Sequence, residues 1–281
     1  MLGALAQVTK KVQLGTAIIN IYSRSPATIA MGATTIDMLS RNRMIIGLGA
    51  SSPVLIENWH GLNFYKPLLR MTRYIECIRK IVTGEKVNYA SEFFQIRNFS
   101  LMYKPEREYI PIFVGAVNEG MLSLATHIAD GTILYLRPFE ELRETVNKIR
   151  SSLGENNKMF NTSCVFISAI SNKDPQMARH RAAKTLAFYT AVGKAYNTFL
   201  SNNGYRQEVK EISHQYWTNG VDAAASSVPD QMLDAITISG NKEQCIKSLE
   251  KFMSTGISMA ILQVNPIKIT GESVEEILSI F

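Results

Sequence analysis

The sequence predicts an α/β fold of the (β/α)8 barrel type, a parallel sheet with helices outside it, and three observations carry this. The stretch from residue 12 to residue 49 reads as strand, helix, strand with every boundary marked. Its strands are apolar runs without polar alternation, the pattern of strands buried on both faces. Similar runs recur down the chain between helical tracts. With 281 residues and 46% hydrophobic content, the chain can bury one large core, and a barrel of about 250 residues is a single domain. The expected organisation is one domain over residues 1–281.

Each element follows from local signals. Residues 1–10 read as the end of a helix. An apolar strand over residues 12–19 leads to Ser25-Pro26, an N-cap and first helical residue, and Arg41-Asn42-Arg43 returns the chain to a second strand over 44–48. Residues 70–82 have helical periodicity and stop at Gly84. Residues 87–99 alternate and turn near Ala90-Ser91, which reads as a small hairpin. Further strands are expected at 112–114, 132–136, 162–170 and 259–264. A long helical tract from Asp174 to about Asn219 opens an inserted helical region over about 174–235, placed to cover the active-site face or form a subunit contact, and a homo-oligomer is the expected assembly. That makes six strands, whereas the barrel needs eight. The expectation is that the other two precede Met1.

Charge is uneven. Residues 1–110 hold 14 Lys/Arg and 7 Asp/Glu of the chain's 30 and 24. A polyanionic small-molecule ligand would be drawn to such a half, but a solvated basic face is the simpler reading. No basic run interleaved with aromatics points to nucleic acid. No apolar run reaches the roughly 18 to 20 residues that span a bilayer, so no membrane partner is expected. Cys77, Cys164 and Cys245 are odd in number and in no CxxC pair, which fits a reducing compartment and a cytoplasmic protein.

Several chemistries drop out. Gly47-Leu48-Gly49-Ala50-Ser51-Ser52 approximates G-x-G-x-x-G, but its third position is Ser and no strand ending in an acid follows about 20 residues on. His60, His127, His180 and His214 have no Cys or His partner at ligand spacing, so no metal is expected. There is no G-x-S-x-G elbow. The strand C-termini end in Gly, Ser, Ala and Asn, too few groups for acid–base or nucleophilic work. A bound organic cofactor carrying the chemistry fits such a site. Gly115-Ala116-Val117-Asn118 can place backbone N–H groups at a helix N-terminus as a phosphate site, or form an ordinary Asn-capped βα turn.

The string NIYSRSPATIAMGATTIDMLSRNRMIIGLG resembles the luciferase-like monooxygenase superfamily, in particular its deazaflavin-dependent branch. The similarity continues through IPIFVGAVNEGM, ADGT and VPDQMLDAITISGNKEQC, in order, across nearly the whole chain. It implies a bacterial-luciferase-like barrel and a hydride transfer between reduced coenzyme F420 and a small organic substrate, methylene-tetrahydromethanopterin foremost. An FMN-dependent monooxygenase and a non-catalytic flavin-binding homologue are the alternatives. Members begin with a strand, a helix and a second strand ending in an acidic-His pair, which matches the two strands expected before Met1.

By alignment to LGTAIIN, the resemblance implies a bulge with a non-prolyl cis peptide at Ala17-Ile18 that backs the cofactor ring. The residues alone also fit a plain buried strand. Gly49, Ala50, Ser51 and Ser52 would border the same pocket, and Gly115, Ala116, Val117 and Asn118 the next strand end. Arg24 in SRSP resembles a recurrent family position, and is otherwise a structural ion-pair residue. Some deazaflavin enzymes carry an acid in the loop after GLG, where this chain has Ala50-Ser51-Ser52-Pro53. Ser52 is a poor general acid at neutral pH, and Glu57 is the nearest downstream carboxylate. The catalytic residues stay unassigned.

Overall fold

The computed structural model describes residues 1–154, 159–267 and 270–279. The chain divides into two compact units, Met1–Ile133 and Leu134–Phe281.

In the first unit, α1 (Leu2–Val8) precedes two short strands, β1 (Leu14–Gly15) and β2 (Ile19–Asn20). Then come α2 (Pro26–Ser40), β3 (Met44–Gly49), α3 (Pro53–His60), α4 (Pro67–Val82), the strands β4 (Val87–Ala90) and β5 (Gln95–Phe99), β6 (Ile112–Gly115) and α5 (Glu119–Ile128). A further strand, β7 (Gly131–Tyr135), begins here. All sheet pairings among β1, β2, β3, β6 and β7 in this unit are parallel, while β4 and β5 form a separate antiparallel hairpin. Every residue of β3 is buried, as expected of a parallel strand covered on both faces.

The sequence boundaries have visible causes. Ser25 accepts from the Thr28 N–H at 3.1 Å and Pro26 opens α2, so one orphan donor is capped and the missing proline N–H costs nothing. The helix ends where Arg41 and Asn42 take left-handed φ of 56° and 64°. Asp37, buried on its inner face, then accepts the Met44 N–H at 3.0 Å and a two-pronged bond from Arg107 at 2.6 and 2.7 Å. Arg107 also donates to the Met44 carbonyl at 2.8 Å. This cluster fixes where β3 begins.

In the second unit, α6 (Phe139–Leu153) leads to β8 (Asn161–Ile170), the long central strand. The helices α7 (Pro175–Val192), α8 (Lys194–Leu200), α9 (Arg206–Asn219), α10 (Val221–Ser226) and α11 (Asp230–Ile236) follow, then β9 (Ile238–Gly240), α12 (Lys242–Met253), β10 (Met259–Val264) and α13 (Thr270–Leu278). Strand β8 pairs in parallel with β10 over Ser163–Ser168 and with β9 over Ser168–Ile170. Leu186, Leu200, Val209, Ile212, Ala224 and Leu233 bind the inserted helices into one apolar core.

The expected helical tract from Asp174 to Asn219 is present in several pieces, and the strand count is corrected. It breaks at Gly193, and again at Asn203 and Gly204, where φ of −110° and +95° leave the helical region. Strand β9 brings a seventh parallel segment that the strand count missed, because three residues are too short to show as an apolar run.

Candidate functional site

The strand expected over residues 12–19 is interrupted. From Gly15, opposite Ile45, to Ile19, opposite Leu48, the chain advances four residues while β3 advances three. That extra residue is a bulge. The Ala17-Ile18 peptide bond within it is cis. Thr16 bonds across the interruption: its hydroxyl accepts the Gly47 N–H at 2.9 Å and donates to the Gly47 carbonyl at 2.9 Å. Position 47 has to be glycine, because a Cβ there would collide with the Thr16 carbonyl oxygen.

The bulge turns Ile18 across the C-terminal ends of β3 and β6. A Cβ on Gly49 would lie 2.5 Å from Ile18 Cδ1, and one on Gly115 would lie 3.4 Å from Ile18 Cγ2. Ile18 is nevertheless 38% exposed, and Ala17 is exposed as well. The outcome is an open aliphatic ledge, backed by two glycines where side chains would stand.

The loops around the ledge are shaped by caps. Ser51 takes a left-handed φ of 63°, and Ser52 caps α3 by accepting the Leu55 N–H at 3.4 Å. Glu57 is exposed on α3. At the next strand end, the Ala116 N–H donates to the Ile133 carbonyl at 3.1 Å. Asn118 caps α5 by accepting the Met121 N–H at 2.9 Å, and Glu119 stands in that helix's first turn. A carboxylate there already complements the positive helix end. Bond lengths and glycine contacts thus bring Ile18, Gly49 and Gly115 together, while Ala50 to Ser52 and Ala116 to Asn118 continue from the ends of β3 and β6.

Residues 20–25 carry the chain from the ledge to α2. Asn20 accepts the Tyr22 and Ser23 N–H groups at 3.0 and 2.7 Å, and the Ile21 N–H donates to the Gly49 carbonyl at 3.1 Å. Arg24 accepts the Tyr74 hydroxyl on its carbonyl at 3.0 Å. At the other end of the sheet, Asp130 of the ADGT string accepts the Ile112 N–H at 2.8 Å, both oxygens receive Arg79 Nη2 at 3.3 Å, and the Tyr109 hydroxyl completes the group. That motif is therefore a brace at the start of β6. Sequence reasoning missed Thr16, Asp37 and Arg107. A hydroxyl immediately before an expected backbone anomaly was the available signal for Thr16, whereas the Asp37–Arg107 pair spans 70 residues and leaves no local pattern.

Among the described residues no group of three or more His, Cys, Asp or Glu could hold a metal ion, and no helix is long and apolar enough to cross a membrane.

Parallel βα units with an exposed ledge at their strand ends define a class, the (β/α)8-type barrel enzymes. The luciferase-like monooxygenase family profile matches residues 1–259, and the chain belongs to that family. It is 31% identical over 269 residues to a 5,10-methylenetetrahydromethanopterin reductase of Archaeoglobus fulgidus, an alignment covering 93% of this chain and 79% of that protein. The fold is similar to that of the coenzyme F420-dependent tetrahydromethanopterin reductase of Methanopyrus kandleri, with a TM-score of 0.84 at 21% identity, covering 98% of this chain and 84% of that one. An F420-dependent secondary alcohol dehydrogenase is similar at a TM-score of 0.75 and 17% identity, covering 100% and 82%.

Proposed function

We propose that the protein is an oxidoreductase that transfers a hydride between reduced coenzyme F420 and a small organic substrate, with methylene-tetrahydromethanopterin the best candidate. The carrying observation is the ledge. Ile18 lies across Gly49 and Gly115 with no room for a side chain at Gly49, so a flat ring system can rest there against aliphatic surface and backbone. The residues present fit such a ring. When bound, the deazaflavin supplies the hydride chemistry. The chain's own residues hold and orient it: Ala17 and Ile18 from behind, Gly49 to Ser52 and Gly115 to Asn118 along its border.

The same residues argue for the substrate class. Ser52 has its oxygen committed to capping α3, and a hydroxyl is in any case a poor general acid at neutral pH. An electrophile of the iminium type accepts a hydride without needing a proton from the protein, as methylene-tetrahydropterins do. The A. fulgidus relative, a reductase of that substrate, supports the same choice. The F420-dependent alcohol dehydrogenase supports the coenzyme with a different substrate.

Equilibrium titration of the purified protein with F420 and with FMN tests the coenzyme, and tighter binding of FMN rejects it. Turnover assays with methylene-tetrahydromethanopterin and reduced F420 test the substrate. Binding of F420 with no turnover on that substrate rejects the substrate and leaves the coenzyme standing.

A further inference from the structure

The residues that hold the ledge in register lie outside it. Ile21, the first residue after β2, is fully buried and its N–H is bonded to Gly49. Its carbonyl accepts a side-chain donor: Arg70, on α4, gives its Nε–H to the Ile21 carbonyl at 3.0 Å. The guanidinium is itself fixed by aromatic faces, with its carbon 4.4 Å from the Tyr22 ring centroid, 5.3 Å from Phe93 and 5.5 Å from Tyr74. Cations over ring faces are attracted by the ring quadrupole, and arginine's planar fork suits such stacking where a lysine ammonium does not.

The aromatic groups are tied to the same segment. Tyr22 stacks on Phe64 at 5.2 Å and its hydroxyl donates to the Tyr65 carbonyl at 3.3 Å. The Tyr74 hydroxyl donates to Arg24. Burial raises the pKa of both phenols, so both remain neutral donors. One helix turn of α4 therefore grips residues 21–24 through Arg70 and Tyr74, at carbonyls three and six residues beyond Ile18.

We infer that Arg70 is a positioning residue for the coenzyme seat: by bonding the Ile21 carbonyl from within an aromatic cage, it holds Ile18 to Ile21 in register with Gly49. Its consequence for coenzyme binding rests on the F420 reading, whereas its grip on Ile21 does not.

Two measurements on the full chain separate these. Hydrogen exchange of the Ile21 amide, read at residue level by NMR without any ligand, reports the register. In Arg70→Met that amide exchanges faster by about tenfold while amides in the middle of α4 and in β8 keep their protection. Titration with F420 reports the consequence, an affinity about tenfold weaker for the same variant. Arg70→Lys, which keeps the charge but loses the planar face and the Nε–H, shows the same two changes and serves if Arg70→Met does not fold. Unchanged Ile21 exchange, or loss of protection spread evenly over the chain, overturns the inference. Faster Ile21 exchange with F420 affinity within twofold of wild type overturns the link to the coenzyme. If the wild-type protein itself fails to bind F420, the functional reading falls, and the exchange result alone decides the role of Arg70.

Discussion

Ile18 lies across Gly49 so closely that a methyl group at position 49 would sit 2.5 Å from the Ile18 Cδ1 atom. Gly49→Ala must therefore push Ile18 off the ledge. Overpacking of this kind costs about 1 to 3 kcal/mol, and the displaced side chain would obstruct the seat of the ring. Urea denaturation should show that loss, and F420 titration an affinity reduced by at least tenfold. Gly32, on the exposed face of α2 with nothing within 4 Å of an added Cβ, is the control. Gly32→Ala should be neutral or stabilising by up to about 1 kcal/mol.

Thr16 tests the bulge from the other side. Its hydroxyl bonds both the N–H and the carbonyl of Gly47. Thr16→Val keeps the shape and removes both of these bonds, at a cost of about 1 to 3 kcal/mol. Thr16→Ser restores the hydroxyl and should recover most of it. Equal stability of the Val and Ser variants would show that the hydroxyl does not support the strand.

Removal of Arg107 should be among the more damaging surface-accessible substitutions in the first unit. Its partner Asp37 has a side chain only 5% exposed. Arg107→Met leaves that carboxylate buried and uncompensated, which typically costs about 3 to 5 kcal/mol. Chemical denaturation of Arg107→Met against wild type provides the measurement. Asp37→Asn combined with Arg107→Met should be less destabilised than Arg107→Met alone.

Alkaline pH should erode stability well before it reaches the arginines. Burial pushes the Cys77 thiol up to about 11 and the Cys245 thiol to about 12, and burial with the Asp130 hydrogen bond pushes the Tyr109 phenol up to about 12. Each group ionises earlier in the unfolded chain than in the folded one. Stability is therefore complete below about pH 9 and declines as pH rises towards 12. Urea midpoints at pH 8 and pH 10.5 should fall in that order, and the Cys245→Ala variant should fall less steeply. A thiol reagent at pH 7.5 should leave all three cysteines untouched in the native protein and modify all three in urea, since each is buried.

The parts of the fold readable in the sequence were those specified by neighbours in the chain. Ser25-Pro26 announces α2 because a cap and a fixed φ act within three residues, and the all-buried β3 announces itself through unbroken apolar content. The position of the cis bond came from family resemblance to LGTAIIN and not from its chemistry. What stayed hidden depends on residues distant in sequence. Arg70 lies 49 residues from the carbonyl it bonds, and nothing in a helix turn reading LLRMTRY states that the arginine faces inward. The break at Asn203-Gly204 was legible in principle through its Asn-Asn-Gly string, yet the flanking tracts are both helical and masked it.

The ledge has a further meaning for how such a chain changes over time. Ala17, Ile18, Gly49 and Gly115 contain no ionisable side chain, so the seat is indifferent to the acid, base or charge demands of whatever molecule reacts above it. A lineage can therefore acquire a new substrate by altering loops such as residues 61–66 while inheriting the seat intact, because loops tolerate substitution that packed strands do not. Divergence in this family would then be written in the connections, and residues 14–20 would be the part of the chain least free to drift.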